Sequence, residues 1–153
     1  MSKVAVHPAG AAAPSLVQAL RAAGVTLADG DAPVRIVLGG EMSPEEIREQ
    51  VNFVLEGGAT LLLASTGPLL TALHLRALDG VLNGVVEGLE PLSLEGVAPV
   101  TGVGYALFRV DGACIALDAP RGRGRVLFAG ASAPDLVLAC LAWISRKMGG
   151  GAR

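Results

Sequence analysis

The chain is 153 residues long, 52% hydrophobic and 17% charged, with a formal net charge of −2. That length is one domain's worth and suffices to bury a sizeable core, while the charge balance excludes the concentrated positive surface that nucleic-acid binding requires. No apolar run is long enough to cross a bilayer and the N-terminus lacks a signal peptide's charged-then-apolar plan, so no membrane insertion and a cytoplasmic setting are expected.

Lys3 to His7 (KVAVH) reads as a short strand, broken by Pro8-Ala9-Gly10. Pro14 to Ala23 places Leu16, Val17 and Leu20 on one helical face and ends at Gly24. DGDAP is a loop, and Val34 to Leu38 (VRIVL) is a second strand closed by Gly39-Gly40. Ser43-Pro44-Glu45-Glu46 carries a serine N-cap, a proline at the first helical position and a glutamate positioned to reach back to the cap. Ile47, Val51, Val54 and Leu55 form the apolar stripe of that helix, which Gly57-Gly58 ends. Thr60 to Ala64 is nearly all apolar, so it is expected to be a central strand covered on both faces.

Leu69 to Leu82 is expected to be helical, with Leu70, Leu73 and Leu78 inward. Asn83 to Gly104, rich in Gly and Pro, is read as a short strand near Val85 and loop. Tyr105 to Val110, Asp111-Gly112 and Ala113 to Leu117 read as a β-hairpin, because Asp-Gly favours a type I′ turn. Arg125 to Ala129 is a further strand, and Ser132-Ala133-Pro134-Asp135 opens a helix running to about Lys147. One domain over residues 1–148 and a disordered tail over 149–153 are expected. Strands alternating with helices indicate an α/β sandwich with a mainly parallel sheet and a late hairpin.

Few charges and an aliphatic composition predict a homo-oligomer or a subunit of a larger complex. Cys114 and Cys140 fit no zinc or CxxC pattern and read as buried reduced thiols. His7 and His74 have no metal-ligand partners at the usual spacings, so neither a metal nor a cofactor is expected. The glycines do not complete a dinucleotide or P-loop fingerprint. The loop HPAGAAAP, with His7 and Gly10, can still offer amides to an anion. RGRGR (Arg121 to Arg125) is either a guanidinium cluster for phosphate or carboxylate or a solvated turn entering a strand.

VRIVLGG, the capped helix and EGGATLLLASTG together resemble the core of the class I glutamine amidotransferase-like superfamily. The resemblance implies a three-layer, flavodoxin-like α/β sandwich. It puts Gly39 and Gly40 in the oxyanion-loop place, Ser65 in the nucleophile place with Thr66 beside it, and Gly67 in the place of the glycine that follows. Leu63 replaces the glycine expected two residues before the nucleophile, and Ala129 and Ala131 in LFAGAS stand where the His and Glu of the family triad would be. A serine hydroxyl without an adjacent base is a weak nucleophile. SPEEIREQVNFVLEGGATLLLA and GRGRVLFAGASAPD are closer to degenerate members that serve as binding or assembly domains. The expected function is therefore a non-catalytic protein-assembly or small-ligand-binding module. Its ligand edge would comprise His7, Gly10, Gly39, Gly40, Ser65, Thr66 and Gly67. The alternatives are a serine hydrolase using Ser65 with His7 or His74 as base, and an anion or nucleotide binder.

Overall fold

The computed structural model describes residues 3–8, 10, 12–38, 41–63 and 67–151. In chain order the elements are β1 (Val4–His7), α1 (Pro14–Ala22), β2 (Val34–Leu38), α2 (Pro44–Leu55), β3 (Ala59–Leu63), α3 (Gly67–Ala72) and β4 (Leu75–Ala77). There follow β5 (Leu82–Val85), β6 (Ser93–Val97), β7 (Val100–Gly102), β8 (Tyr105–Val110), β9 (Ala113–Arg121), β10 (Gly124–Ala129) and α4 (Pro134–Gly151).

Six strands form one sheet in the order β1-β2-β3-β10-β9-β8. The first four run parallel, and β9 and β8 continue the sheet antiparallel. The fold is thus α/β with a mostly parallel sheet, as the strand–helix alternation predicted. Outside β1, Leu27 forms an isolated parallel bridge to Val4, so the chain first travels outward from β1 and then returns past it to β2.

Strand residues alternate between two apolar clusters. Leu61, Leu63 and Leu127 join Leu16 and Leu20 of α1 and Leu136, Cys140 and Ile144 of α4. Leu62, Val126 and Phe128 join Val54 of α2 and Leu69 and Leu70 of α3. Period-two alternation with both faces apolar is what a covered central strand requires. All five residues of β3 are buried.

Local signals explain the element ends. Ser43 Oγ accepts from Glu46 N–H at 3.1 Å, and the Glu46 carboxylate accepts from Ser43 N–H at 3.0 Å, completing the capping box. Asp111 and Gly112 both have positive φ (50° and 78°), the pair of values a type I′ hairpin needs.

The region after α3 differs from the expected long helix. The helix spans only Gly67–Ala72; His74 takes φ 62°, and Leu75–Ala77 pairs with Val100–Gly102. Arg121 fixes that end: its Nε donates to Leu73 O at 2.8 Å and its Nη2 to His74 O at 3.3 Å, placing positive charge at the helix C-terminus. Leu70 and Leu73 are buried as expected, but Leu78 is exposed. Between Asn83 and Gly104 lie β6, β7 and most of β5; β5 and β6 form a second small hairpin. The last helix continues past Lys147 to Gly151.

Candidate functional site

The site is set by the path of the chain. From β1 the chain enters α1, which packs on the α4 face; from β2 it enters α2, on the opposite face. The C-terminal ends of β1 and β2 therefore border the place where the chain's direction across the sheet reverses. In open α/β sheets ligands bind in the crevice at such a switch point. His7 ends β1, in register with Val37 on β2.

A buried polar cluster lies beneath His7. Arg35, in register with Ala5, is buried on the α2 face of β2. Its Nε and Nη2 donate to the two carboxylate oxygens of Asp31 at 3.0 and 2.8 Å. Its Nη1 donates to Glu49 Oε1 and Gln50 Oε1, each at 3.0 Å. The guanidinium lies 3.8 Å from the ring centroid of Phe53, a cation–π stack that also excludes water. The hydrogen bonds from Arg35 hold the Asp31 carboxyl down at about 2. Burial, and then the Arg35 charge, push the His7 imidazole below its ordinary value, against the opposing pull of Asp31 and Glu49. His7 is therefore neutral near pH 7, with a nitrogen lone pair to offer a ligand donor.

Two cavities meet at His7. One, of about 600 Å³, lies between β1, α1 and the Leu27–Gly30 segment. Val17 and Leu27 supply apolar wall, Gln18, Arg21 and Asp29 supply polar groups, and Gly10 lies at its edge. Its size is that of a small-molecule pocket. The other, of about 340 Å³, runs from His7 and Leu38 along α2 past Met42, Glu45 and Glu49. Of the residues expected at the ligand edge, His7 and Gly10 thus share a cavity, and Gly67 is the first residue of α3. Gly39, Gly40, Ser65 and Thr66 lie outside the described residues.

The two histidines named as bases are placed by the sheet. His7 is separated from β3 by β2, a lateral offset of roughly 10 Å at ordinary strand spacing. His74 is tied through its carbonyl to Arg121, and Arg121 pairs with Gly124, where β10 begins. Ser65 follows the opposite end of β3 in the chain. Ala129 pairs with Leu63, so β3 and β10 end together at that end of the sheet, where Ala129 offers a buried methyl.

Other candidates resolve individually. Cys140 is buried in the α4 face, which pushes its thiol up to about 12; burial raises the half-buried Cys114 too. Both stay protonated at neutral pH, as expected of inert thiols. Within RGRGR, Arg121 spends its guanidinium on four backbone carbonyls. Arg125 donates to the buried carboxylate of Asp118, which also accepts from Trp143 Nε1 at 2.8 Å. Sequence reading missed the Arg35 cluster, although its signal was present: an arginine inside VRIVL, in a sheet covered on both faces, must bring its own acceptors.

No protein-family model matches the chain, and no curated protein matches it by sequence. Solved structures do match in fold. A cytoplasmic protein from Salmonella typhimurium superposes with a TM-score of 0.69 at 11% identity, covering 94% of this chain and 99% of that one. An exo-β-1,4-mannosidase from an Opitutaceae bacterium gives 0.62 at 16% identity, covering 96% of this chain and 34% of the enzyme. A β-galactosidase from Bacillus circulans sp. alkalophilus gives 0.63 at 15%, covering 97% and 31%. The chain spans about a third of each glycosidase. At these identities the likeness is one of fold.

Proposed function

We propose that the chain is a non-catalytic domain of amidotransferase-like type, a three-layer sandwich of flavodoxin-like order, that binds a small molecule at the β1–β2 switch point. The observation that carries this reading is the pair of cavities sharing His7 where α1 and α2 depart to opposite faces. Counting the Leu27 bridge as a vestigial strand gives the outer-first order of flavodoxin-like sheets. Two features support the absence of acyl-transfer chemistry: alanine at 129 and 131, and the placement of both histidines away from the end of β3. A serine needs a base within about 3 Å to act as a nucleophile. The cytoplasmic description of the Salmonella neighbour supports a cytoplasmic setting.

Fluorophosphonate labelling tests the non-catalytic half of the proposal. The wild-type chain is expected to remain unlabelled; labelling that disappears in Ser65→Ala would restore the hydrolase alternative.

A second reading, assembly with further copies or a larger complex, is favoured by the exposed aliphatic and aromatic residues Val81, Val85, Val103 and Tyr105. Light scattering after size-exclusion chromatography is expected to show a dimer or larger species; a monomer at micromolar concentration would contradict self-assembly.

A further inference from the structure

At the opposite end of the sheet from His7, where β3 and β10 begin, we propose a second site that binds a dianionic phosphate group. A cavity of about 240 Å³ opens there, lined by Arg123, Arg125 and Lys147 around the backbone of Gly57, Gly58 and Gly124, and no carboxylate is among the described residues that line it.

The three cations are held by different means. Arg125 uses Nη1 on Asp118, which leaves its other guanidinium nitrogens without a protein acceptor among the described residues. Asp118 also receives Trp143 Nε1, and Lys147 Nζ lies 4.6 Å from the centroid of that Trp143 ring. One buried carboxylate thus orients Arg125 directly and, through Trp143, the surface on which Lys147 rests. Neither the Arg123 nor the Lys147 side chain makes an ion pair or hydrogen bond among the described residues. Three positive charges less that of Asp118 leave two uncompensated, which matches a phosphate monoester dianion. The planar arginine forks suit its oxygens.

The end of α2 also borders this cavity, and a helix C-terminus repels anions. Its carbonyls are already engaged. Leu55 O accepts from Arg123 N–H at 3.0 Å, Phe53 O from Gly58 N–H at 2.8 Å and Val54 O from Gly57 N–H at 3.1 Å. Backbone groups of the α2–β3 connection, with Arg123 N–H from the turn between β9 and β10, therefore satisfy the helix end, and the side-chain cations remain for a ligand. The same geometry accounts for the glycines of RGRGR, since a Cβ on Gly122 would come within 2.8 Å of the Leu55 backbone.

Methyl phosphate serves as the probe, at constant ionic strength, followed by ¹H–¹⁵N spectra. Saturable shifts are expected at Gly57, Gly58 and Arg123 to Arg125. Affinity is expected to fall roughly tenfold from pH 7.5 to pH 5, as the monoester with a second pKa of about 6 loses its second charge. Sulfate, which keeps both charges, should bind equally at the two pH values. The double variant Arg123→Ala/Lys147→Ala is expected to weaken binding at least about tenfold, since each lost charge-assisted bond carries that much; Arg76→Ala, on β4, should leave it unchanged. Absence of saturable shifts at millimolar probe would overturn the site. So would equal losses in Arg76→Ala and the double variant. A double variant that lowers thermal stability in a protein that ignores phosphate would assign the cations to the α2 end instead. None of these outcomes bears on the cavities at His7.

Discussion

Gly124→Ala is expected to lower the free energy of unfolding by about 3 kcal/mol or more, a loss in the range of severe overpacking. Gly124 opens β10 directly beneath the end of α2, and a Cβ there would overlap the carbonyl oxygens of both Gly58 and Val54. Neither oxygen is on a side chain that can swing aside. Gly58 O accepts from Arg125 N–H at 3.1 Å, and the adjacent Arg123 N–H is committed to Leu55 O at 3.0 Å. Relief therefore means pulling β10 away from α2, against the buried packing of Val54, Val126 and Phe128. Gly30→Ala is the matched control, because a Cβ at Gly30 meets nothing within 4 Å. Its cost is expected to stay within about 0.5 kcal/mol. Urea denaturation of the two variants reads the difference; equal midpoints would show that the turn is not held as described.

Arg35→Ala is expected to cost about 2–3 kcal/mol, and Arg35→Met less, by the ordinary worth of charged hydrogen bonds. Removing the guanidinium strands Gln50 Oε1, which is buried, and uncovers the Phe53 ring. Asp31 and Glu49 are more than half exposed and regain water, so the loss stays below that of a fully buried ion pair. Methionine restores much of the volume over Phe53 but not the donors.

The same substitutions shift His7. In the wild type its folded pKa lies below the unfolded value of 6.5, so the unfolded chain binds the extra proton first. The His7 contribution to stability is therefore complete above pH 6.5 and is lost as pH falls through the lower folded value. Without Arg35, burial still lowers the His7 pKa but the Arg35 charge no longer adds to it, while the carboxylates of Asp31 and Glu49 still raise it, so its pKa is expected to rise. NMR titration of the imidazole measures this directly, and an unchanged His7 pKa in Arg35→Met would contradict the electrostatic coupling.

The sheet was largely legible in the sequence because its signals are local. VRIVL and TLLLA declare buried strands, SPEE declares a capped helix, and Asp111-Gly112 declares its turn. The Leu69–Leu82 helix misled because its leucines suit either structure. What ends α3 is Arg121, distant in the chain, together with pairing of Leu75 to Gly102. Long-range contacts of that kind leave no periodicity to read. The site was half legible. His7 stood out as a polar residue at a strand end, but the reversal around β1 depends on the lone Leu27–Val4 bridge, which no alternating run announces. The Arg35 cluster joins residues from the loop before β2, from β2 itself and from α2, a combination that only the folded register brings together.

Binding at the switch point is tested most directly by a ¹H–¹⁵N NMR screen of neutral, anionic and cationic fragments at millimolar concentration. The prediction is that the shifts from bound fragments converge on His7, Gln18, Arg21 and Asp29, around the larger cavity. Shifts confined to other surfaces, or none across the panel, would contradict a ligand site at the ends of β1 and β2.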